Sequence, residues 1–440
     1  MSFFTGKKIN ISEDLYELLT EDSEGRFCDD IDESACREAP NSFVLLLFSY
    51  ILTKLGDAIA SPKTTLAWAS AAVGAPAFVT GFLVPLRESG SMIPQLFIGS
   101  AIRSRPVRKW IWVSGSVGQA LCVMGIGLSV WLLEGAAAGW MMLGLVALFS
   151  IARAFSSVAA KDVLGKTIPK PRRGQLTGWS ASAAGFLSVG VGVALALPVA
   201  TRLGVPLIGA LLIAAGVLWL VAAALYAQIG ETPGETGGGR NALESLQRAA
   251  NIYKDKPFRR FVLTRALLMC SALSAPFYVA LAQQYHGSKS YLLGAFVAAA
   301  GVASLVSAPL WGRFADRSSK HVMIVAALVT AGAGILTFAS DQWLPGVAGS
   351  LWLLPLLYFV LSAAHSGVRV GRKTYVVNLG SGNKRTDYVA ISNTTIGVLL
   401  LVVGSVGLLV PLIGNGGVIG VLSGMGLAGA VLATSLPQVE

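Results

Sequence analysis

The polar residues of this chain fall into short clusters, and the stretches between them are apolar and similar in length. Twelve apolar runs can be marked, at 43–66, 74–101, 110–133, 138–160, 177–199, 204–228, 259–281, 290–311, 321–340, 349–369, 387–411 and 416–435. Each is close to the ~20 residues a helix needs to cross the hydrocarbon core of a bilayer. Between the sixth and seventh runs lies a longer polar stretch, 229–258, which reads GETPGETGGG from Gly230 to Gly239. Glycine and proline make that part a flexible linker, and residues 241–253 have the composition of a short surface helix. Residues 1–41 are polar and acidic: eleven carboxylates from Glu13 to Glu38 stand against Lys7, Lys8, Arg26 and Arg37. Within them Ile11, Leu15, Leu18 and Leu19 recur at helical spacing and predict a short amphipathic helix over Ile11–Thr20. The pattern gives an all-α membrane protein: an acidic tail (1–41), six spans (42–228), a linker (229–258) and six more spans (259–436).

Lysine and arginine set the expected orientation. The loops after the second, fourth, sixth, eighth and tenth runs carry 23 of them, and the opposite loops carry only Lys63, Arg202 and Lys289. Basic loops stay in the cytoplasm. Both termini are therefore expected there, in a plasma membrane that would be the inner membrane of a bacterium.

Composition narrows the function. Hydrophobic residues make up 54% and charged residues 13%, about half the charged fraction of a soluble domain. The net charge of +11 sits in loop clusters, so it marks membrane orientation and not a nucleic-acid surface. Cys28 and Cys36 lie in the tail and Cys122 and Cys270 in apolar runs, without C-x-x-C; neither a disulfide framework nor a zinc site is expected. No Gly-x-x-x-x-Gly-Lys-Ser/Thr occurs, so ATP drive is unsupported. The three histidines are scattered, and with no cofactor or metal site expected, an embedded enzyme is disfavoured.

Candidate chemistry lies inside the runs. The second run, FVTGFLVPLRESGSMIPQLFIGSAI, holds Arg87-Glu88-Ser89-Gly90-Ser91 near its middle, between Pro85 and Pro94. Charges at that depth face a bundle interior or a water-filled cavity. Adjacent helical positions diverge by about 100°, so Arg87 and Glu88 are expected to have different partners. In the first run Asp57 shares a helical face with Lys54 and Ser61; the fourth run holds Arg153. Desolvation raises a carboxylate's proton affinity and a cation lowers it. Asp57 and Glu88, with Arg153 as the switching cation, are thus candidates for proton coupling. The competing reading is a permanent clamp, Lys54–Asp57 or Asp57–Arg153, with Arg87 and Glu88 pinning helices together. Lys54, Arg87, Ser91, Tyr358, His365 and Asn393 are candidates for a substrate cavity. A guanidinium matches carboxylate and phosphate geometry, and His365, placed near the cytoplasmic end of the tenth run, titrates near neutral pH. Helix–helix hydrogen bonding explains Ser392-Asn393-Thr394-Thr395 equally well. Arg265, one turn into the seventh run, is expected to snorkel to the headgroups.

The loop after the eighth run reads APLWGRFADRSSKH, residues 308–321. It resembles the loop motif of the major facilitator superfamily: Gly312, Ala315, Asp316, Arg317 and Lys320 match, while Phe314, Ser319 and His321 depart. The first-half copy, 99–109, keeps Arg103 but has Ile102 in place of the acid. Arg153, in FSIARAFSSVAA, resembles the intramembrane arginine of the family's fourth helix, with Ser156-Ser157 replacing Gln-Gly. The fifth run has Gly185, Gly190 and Gly192 but lacks the Gly-Pro of the antiporter motif. Ala101-Ile102-Arg103 aligns with Ala315-Asp316-Arg317, and Ser61-Pro62 with Ala275-Pro276, both at an offset of 214. The resemblance implies twelve helices in two pseudo-symmetric six-helix bundles, a cavity lined by spans 1, 4, 7 and 10, and an interface of spans 2, 5, 8 and 11. It implies a gating role for Gly312, Asp316, Arg317 and Lys320. The activity it implies is secondary transport of a small organic solute by alternating access, coupled to protons, by a monomer in the bilayer. Export is placed slightly ahead of uptake. Symport of an organic anion with protons, and a non-transporting sensor with the same fold, are the alternatives.

Overall fold

The computed structural model describes residues 11–20, 31–94, 98, 102, 104–234, 236, 252–380 and 383–439. These are helical with connecting turns and contain no strand. The helices are α1 (Ile11–Thr20), α2 (Glu33–Ile59), α3 (Thr65–Ala72), α4 (Ala77–Met92), α5 (Lys109–Leu132), α6 (Gly135–Thr167), α7 (Lys170–Ala196) and α8 (Pro198–Ala227) in the first half. In the second half they are α9 (Lys256–Leu267), α10 (Cys270–Leu273), α11 (Ala275–His286), α12 (Ser290–Arg317), α13 (Ser319–Trp343), α14 (Pro345–Ala348), α15 (Leu353–Leu379), α16 (Asn383–Gly404) and α17 (Val410–Thr434), with a 3-10 turn at Ser405–Leu409. The surface helix expected at 241–253 lies, for residues 241–251, outside the described residues.

Among the described residues ten helical stretches are long and apolar enough to span a bilayer, against twelve expected. Two features account for the difference. Tyr388–Thr434 runs for 47 residues through the last two expected segments, and α4, at 16 residues, is too short to qualify. The surface supports the membrane assignment. Trp131, Trp140, Trp343 and Trp352 are exposed at one set of helix ends, and Trp110 and Trp179 near the other. Trp110 and Trp131 are 21 residues apart in one helix, about 31 Å at 1.5 Å per residue. That matches the ~30 Å hydrocarbon core with its two aromatic belts. The chain is an integral, multi-pass membrane protein.

Two helices break at mid-depth. Pro62 lacks a backbone donor, and the chain between Ile59 and Thr65 turns instead of continuing α2 into α3. The second break separates α9, α10 and α11, with Pro276 in the first turn of α11. The first break contains Ser61-Pro62, and the second ends where Ala275-Pro276, the pair aligned with it in the sequence, opens α11.

The helices up to α8 pack chiefly on one another, as do those from α9 onward. Across the two halves, α7 packs on α12 and α4 on α16. At the end of the molecule away from the termini (the far side), backbone meets backbone. A Cβ on Gly81 would stand 2.7 Å from Gly407 Cα, and one on Gly407 would stand 2.8 Å from Gly81 Cα. The α7–α12 contact repeats this, since a Cβ on Gly192 would meet Gly294 O at 2.7 Å. Only glycine permits such approach. On the same side Gln283 Nε2 donates to Trp68 O across the halves at 3.0 Å.

At the opposite end, the tail side, α1 occupies the range its periodicity predicts. Its buried anchor is Tyr16, edge-on to Phe43 at 5.3 Å, whereas Leu18 is exposed. Arg172 and Trp179 donate to the carbonyls of Thr20 and Leu19. Cys36, at the start of α2, is disulfide-bonded, contrary to the expectation from the absent C-x-x-C. Glu231 was not anticipated either. Its carboxylate accepts from the backbone N–H groups of Arg108 and Lys109 at 2.8 and 2.6 Å, and from Lys166 at 2.9 Å. It caps α5 by the helix-dipole logic, supplying an acid near the loop where Ile102 replaces one.

Candidate substrate cavity

A cavity of about 450 Å³ lies between the halves, on the tail side of the glycine contacts. Lys54, Asp57 and Ser61 line it, as the shared helical face requires, with Arg153, Ser188, Ser304 and Arg369 opposite. The break after α2 leaves Asp57 near the end of its helix. Arg153 clamps it bidentately, both Nη–Oδ distances being 2.6 Å. Arg87 adds a third bond at 2.6 Å, and its guanidinium lies 3.6 Å above the Phe149 ring. Three charge-assisted bonds on one carboxylate form a strong, geometrically fixed unit. Lys54 is not part of it. Its Nζ turns to Thr177 O and Ser180 Oγ on α7, at 3.1 and 2.6 Å.

Glu88 faces elsewhere, as one step of helical rotation from Arg87 dictates. It borders a second cavity of about 30 Å³ with Met92, Ser271, His365, Arg369 and Arg372. That volume suits one or two water molecules. His365 sits near the middle of α15 and not at the end of a span, because α15 continues to Leu379. Its Nε2 lies 2.9 Å from Lys63 Nζ, and its Nδ1 3.0 Å from Ser271 Oγ.

Sequence reasoning missed Lys63, Arg369 and Arg372, having counted all three as loop cations. A signal was present: His365, Arg369 and Arg372 lie at i, i+4 and i+7, one helical face. Among the described residues neither Arg369 nor Arg372 has a carboxylate within 4.0 Å or a hydrogen bond.

Other candidates sit away from the cavities. Tyr358 is buried, packed edge-on against Phe296 at 5.0 Å and Tyr278 at 6.4 Å; its ring fills core space. Ser91 Oγ donates to the Glu88 carbonyl one turn back, a bond within its own helix. Asn393 Oδ1 accepts from Arg265 at 2.8 Å, beside Ser392. Arg265 is therefore buried, its two Nη groups bonded to α16 and its Nε without a partner, a correction to the expected snorkelling: polar partners on α16 hold it inside. In the loop motif, Gly312 ends in open space, Lys320 donates to Leu436 O at 2.6 Å, and Asp316 and Arg317 are exposed. Asp316 makes no hydrogen bond or ion pair among the described residues; at the start of α7 Gln175 accepts from Arg172.

Solved structures share this architecture. A mutant of the nucleoside transporter NupG superposes with TM-score 0.72 at 12% identity, covering 90% of this chain and 100% of that one. The inward-open xylose transporter XylE from E. coli gives 0.67 at 15%, covering 90% and 96%. A POT family transporter in complex with a thioalcohol-conjugated peptide gives 0.68 at 10%, covering 89% and 95%. No protein-family model and no curated protein sequence matches the chain. At these identities the likeness defines the fold. The chain shares the fold of these transporters, of which XylE is a major facilitator superfamily protein.

Proposed function

We propose that this protein is a secondary transporter for a small organic anion, working by alternating access with proton coupling. The observation that carries the substrate class is the charge imbalance at the cavities. Lys54, Arg87, Arg153, Arg369 and Arg372 border them or the clamp beside them, and Lys63 bonds His365 at the second, against two carboxylates, Asp57 and Glu88. Arg87 and Arg153 take Asp57; Arg369 and Arg372 keep donors free for a carboxylate or phosphate. Helices broken at mid-depth favour the same reading, since such breaks mark substrate sites in transporters. Twelve helices in two six-helix bundles, with both termini cytoplasmic, complete the proposal. The far-side contacts and the exposed Asp316 suit a cavity facing the cytoplasm. Glu88 is the better proton carrier, because Asp57 is held by two guanidiniums.

The test is counterflow in proteoliposomes with labelled organic acids, neutral sugars and organic cations. Exchange of acids that is strongly weakened in Arg369→Ala and kept in part by Arg369→Lys is expected. Exchange of neutral or cationic solutes alone, untouched by Arg369→Ala, would overturn the substrate class.

A further inference from the structure

The hydrogen bond joining the halves at mid-depth has a defined proton arrangement. Ser271 Oγ lies 2.9 Å from Leu268 O, which only accepts. A hydroxyl carries one hydrogen; with it given to Leu268, Ser271 accepts from His365 Nδ1–H at 3.0 Å. His365 is then the neutral tautomer whose Nε2 lone pair accepts from the Lys63 ammonium at 2.9 Å. A proton on Nε2 would leave two donors, both cationic, facing each other at that distance, and the bond cannot survive.

The surroundings decide what such a proton meets. Lys63 faces the ring from the α2–α3 break, and Arg369 and Arg372 from its own helix. Glu88 of α4 borders the same small cavity, to which α10 and α16 bring Ser271, Ile396 and Leu400, without charge. Arg265 of α9 is turned to Ser392 and Asn393. Glu88 is the sole carboxylate among these groups, and cations outnumber it.

We infer that the Lys63–His365 bond is a proton-sensitive joint between the halves, and that a bound anion favours its opening. Protonating His365 parts the joint. An anion on Arg369 offsets the charge of the imidazolium, so anion and proton are taken up together. Only the anion clause rests on the function proposed above; the joint itself rests on the geometry.

Spin labels on cysteines at Ala137 and Gln342, exposed near the far-side ends of α6 and α13, would report the separation of the halves in the reconstituted full chain. Lowering the pH from about 8 to about 4 spans the range in which histidine ordinarily titrates and extends below it. Without added solute, the wild type should shift to longer distances across that range. His365→Gln, which keeps a polar side chain but cannot titrate there, should lose the pH dependence. Lys63→Met should show the long distances at every pH. With benzoate, succinate or phosphate as probe, the wild-type midpoint should move to higher pH. A pH-independent wild type, or His365→Gln with the wild-type midpoint, overturns the joint. A pH response that is intact while no probe anion moves its midpoint overturns the anion clause and the substrate class beneath it, and leaves the joint standing.

Discussion

Two charge clusters lie close together in this molecule, and they are built on opposite plans. Around Asp57 every partner is accounted for: two guanidiniums give three bonds of 2.6 Å to one carboxylate. Around His365 the sum fails, since Lys63, Arg369 and Arg372 share one carboxylate, Glu88, which is within 4.0 Å of none of them among the described residues. Burying a charge is tolerated when it is paired and expensive when it is not. A satisfied cluster is thus a fixture, whereas an unsatisfied one holds its charges ready for something the protein does not itself supply. Intramembrane charge alone does not distinguish them; the pairing does.

The largest effect that sharpens this contrast is expected at Arg87. Arg87→Ala removes a buried ion pair and the contact with Phe149, and should cost about 3–5 kcal/mol, read as a lowered melting temperature in detergent. Joined with Asp57→Asn it should cost less than the two single changes added together; strict additivity would break the picture of a clamp. Arg369→Ala, by contrast, should leave melting unchanged and raise the KM for an organic acid about tenfold or more, some 1.4 kcal/mol. A large fall in melting temperature would instead make Arg369 another fixture. Gly81→Ala pushes a methyl into the Gly407 backbone and should weaken the far-side contact by about 1–3 kcal/mol. The measurable sign is faster labelling of a cysteine placed at Trp68. Smallest of all, single cysteines replacing Gly174 and Lys289 should leave transport intact and react with impermeant thiol reagents from opposite faces. Gly287, beside Lys289, has φ of 73° and would be strained by any side chain.

Much of the fold was legible because a bilayer requires long apolar runs, and the helix ends fall within a few residues of most of the runs. The tenth span shows where the reading slipped. Counting Arg369 and Arg372 as loop residues agreed with the basic-loop rule, but α15 carries both down to Leu379. A cation in a loop and a cation lining a cavity mouth look identical by composition; only the i, i+4, i+7 register from His365 tells them apart. The Asp57–Arg153 pair was legible as one of two readings, since both groups lie at similar depth. Arg87 as its third member was not, because a bond between positions 57 and 87 depends on how two helices rotate. Lys63 was hidden for the same reason: Pro62 announces a break, but not that the break sits at mid-depth.

The paired glycines on the far side have a mechanical meaning. Interlocked side chains act as teeth, and two helices meshed that way turn against each other only by climbing out of register. Where Gly81 meets Gly407, and Gly192 meets Gly294, there are no teeth. Two smooth backbones rest on one another like the faces of a plain bearing, on which one half of the molecule can tilt against the other while few packed side chains need to rearrange.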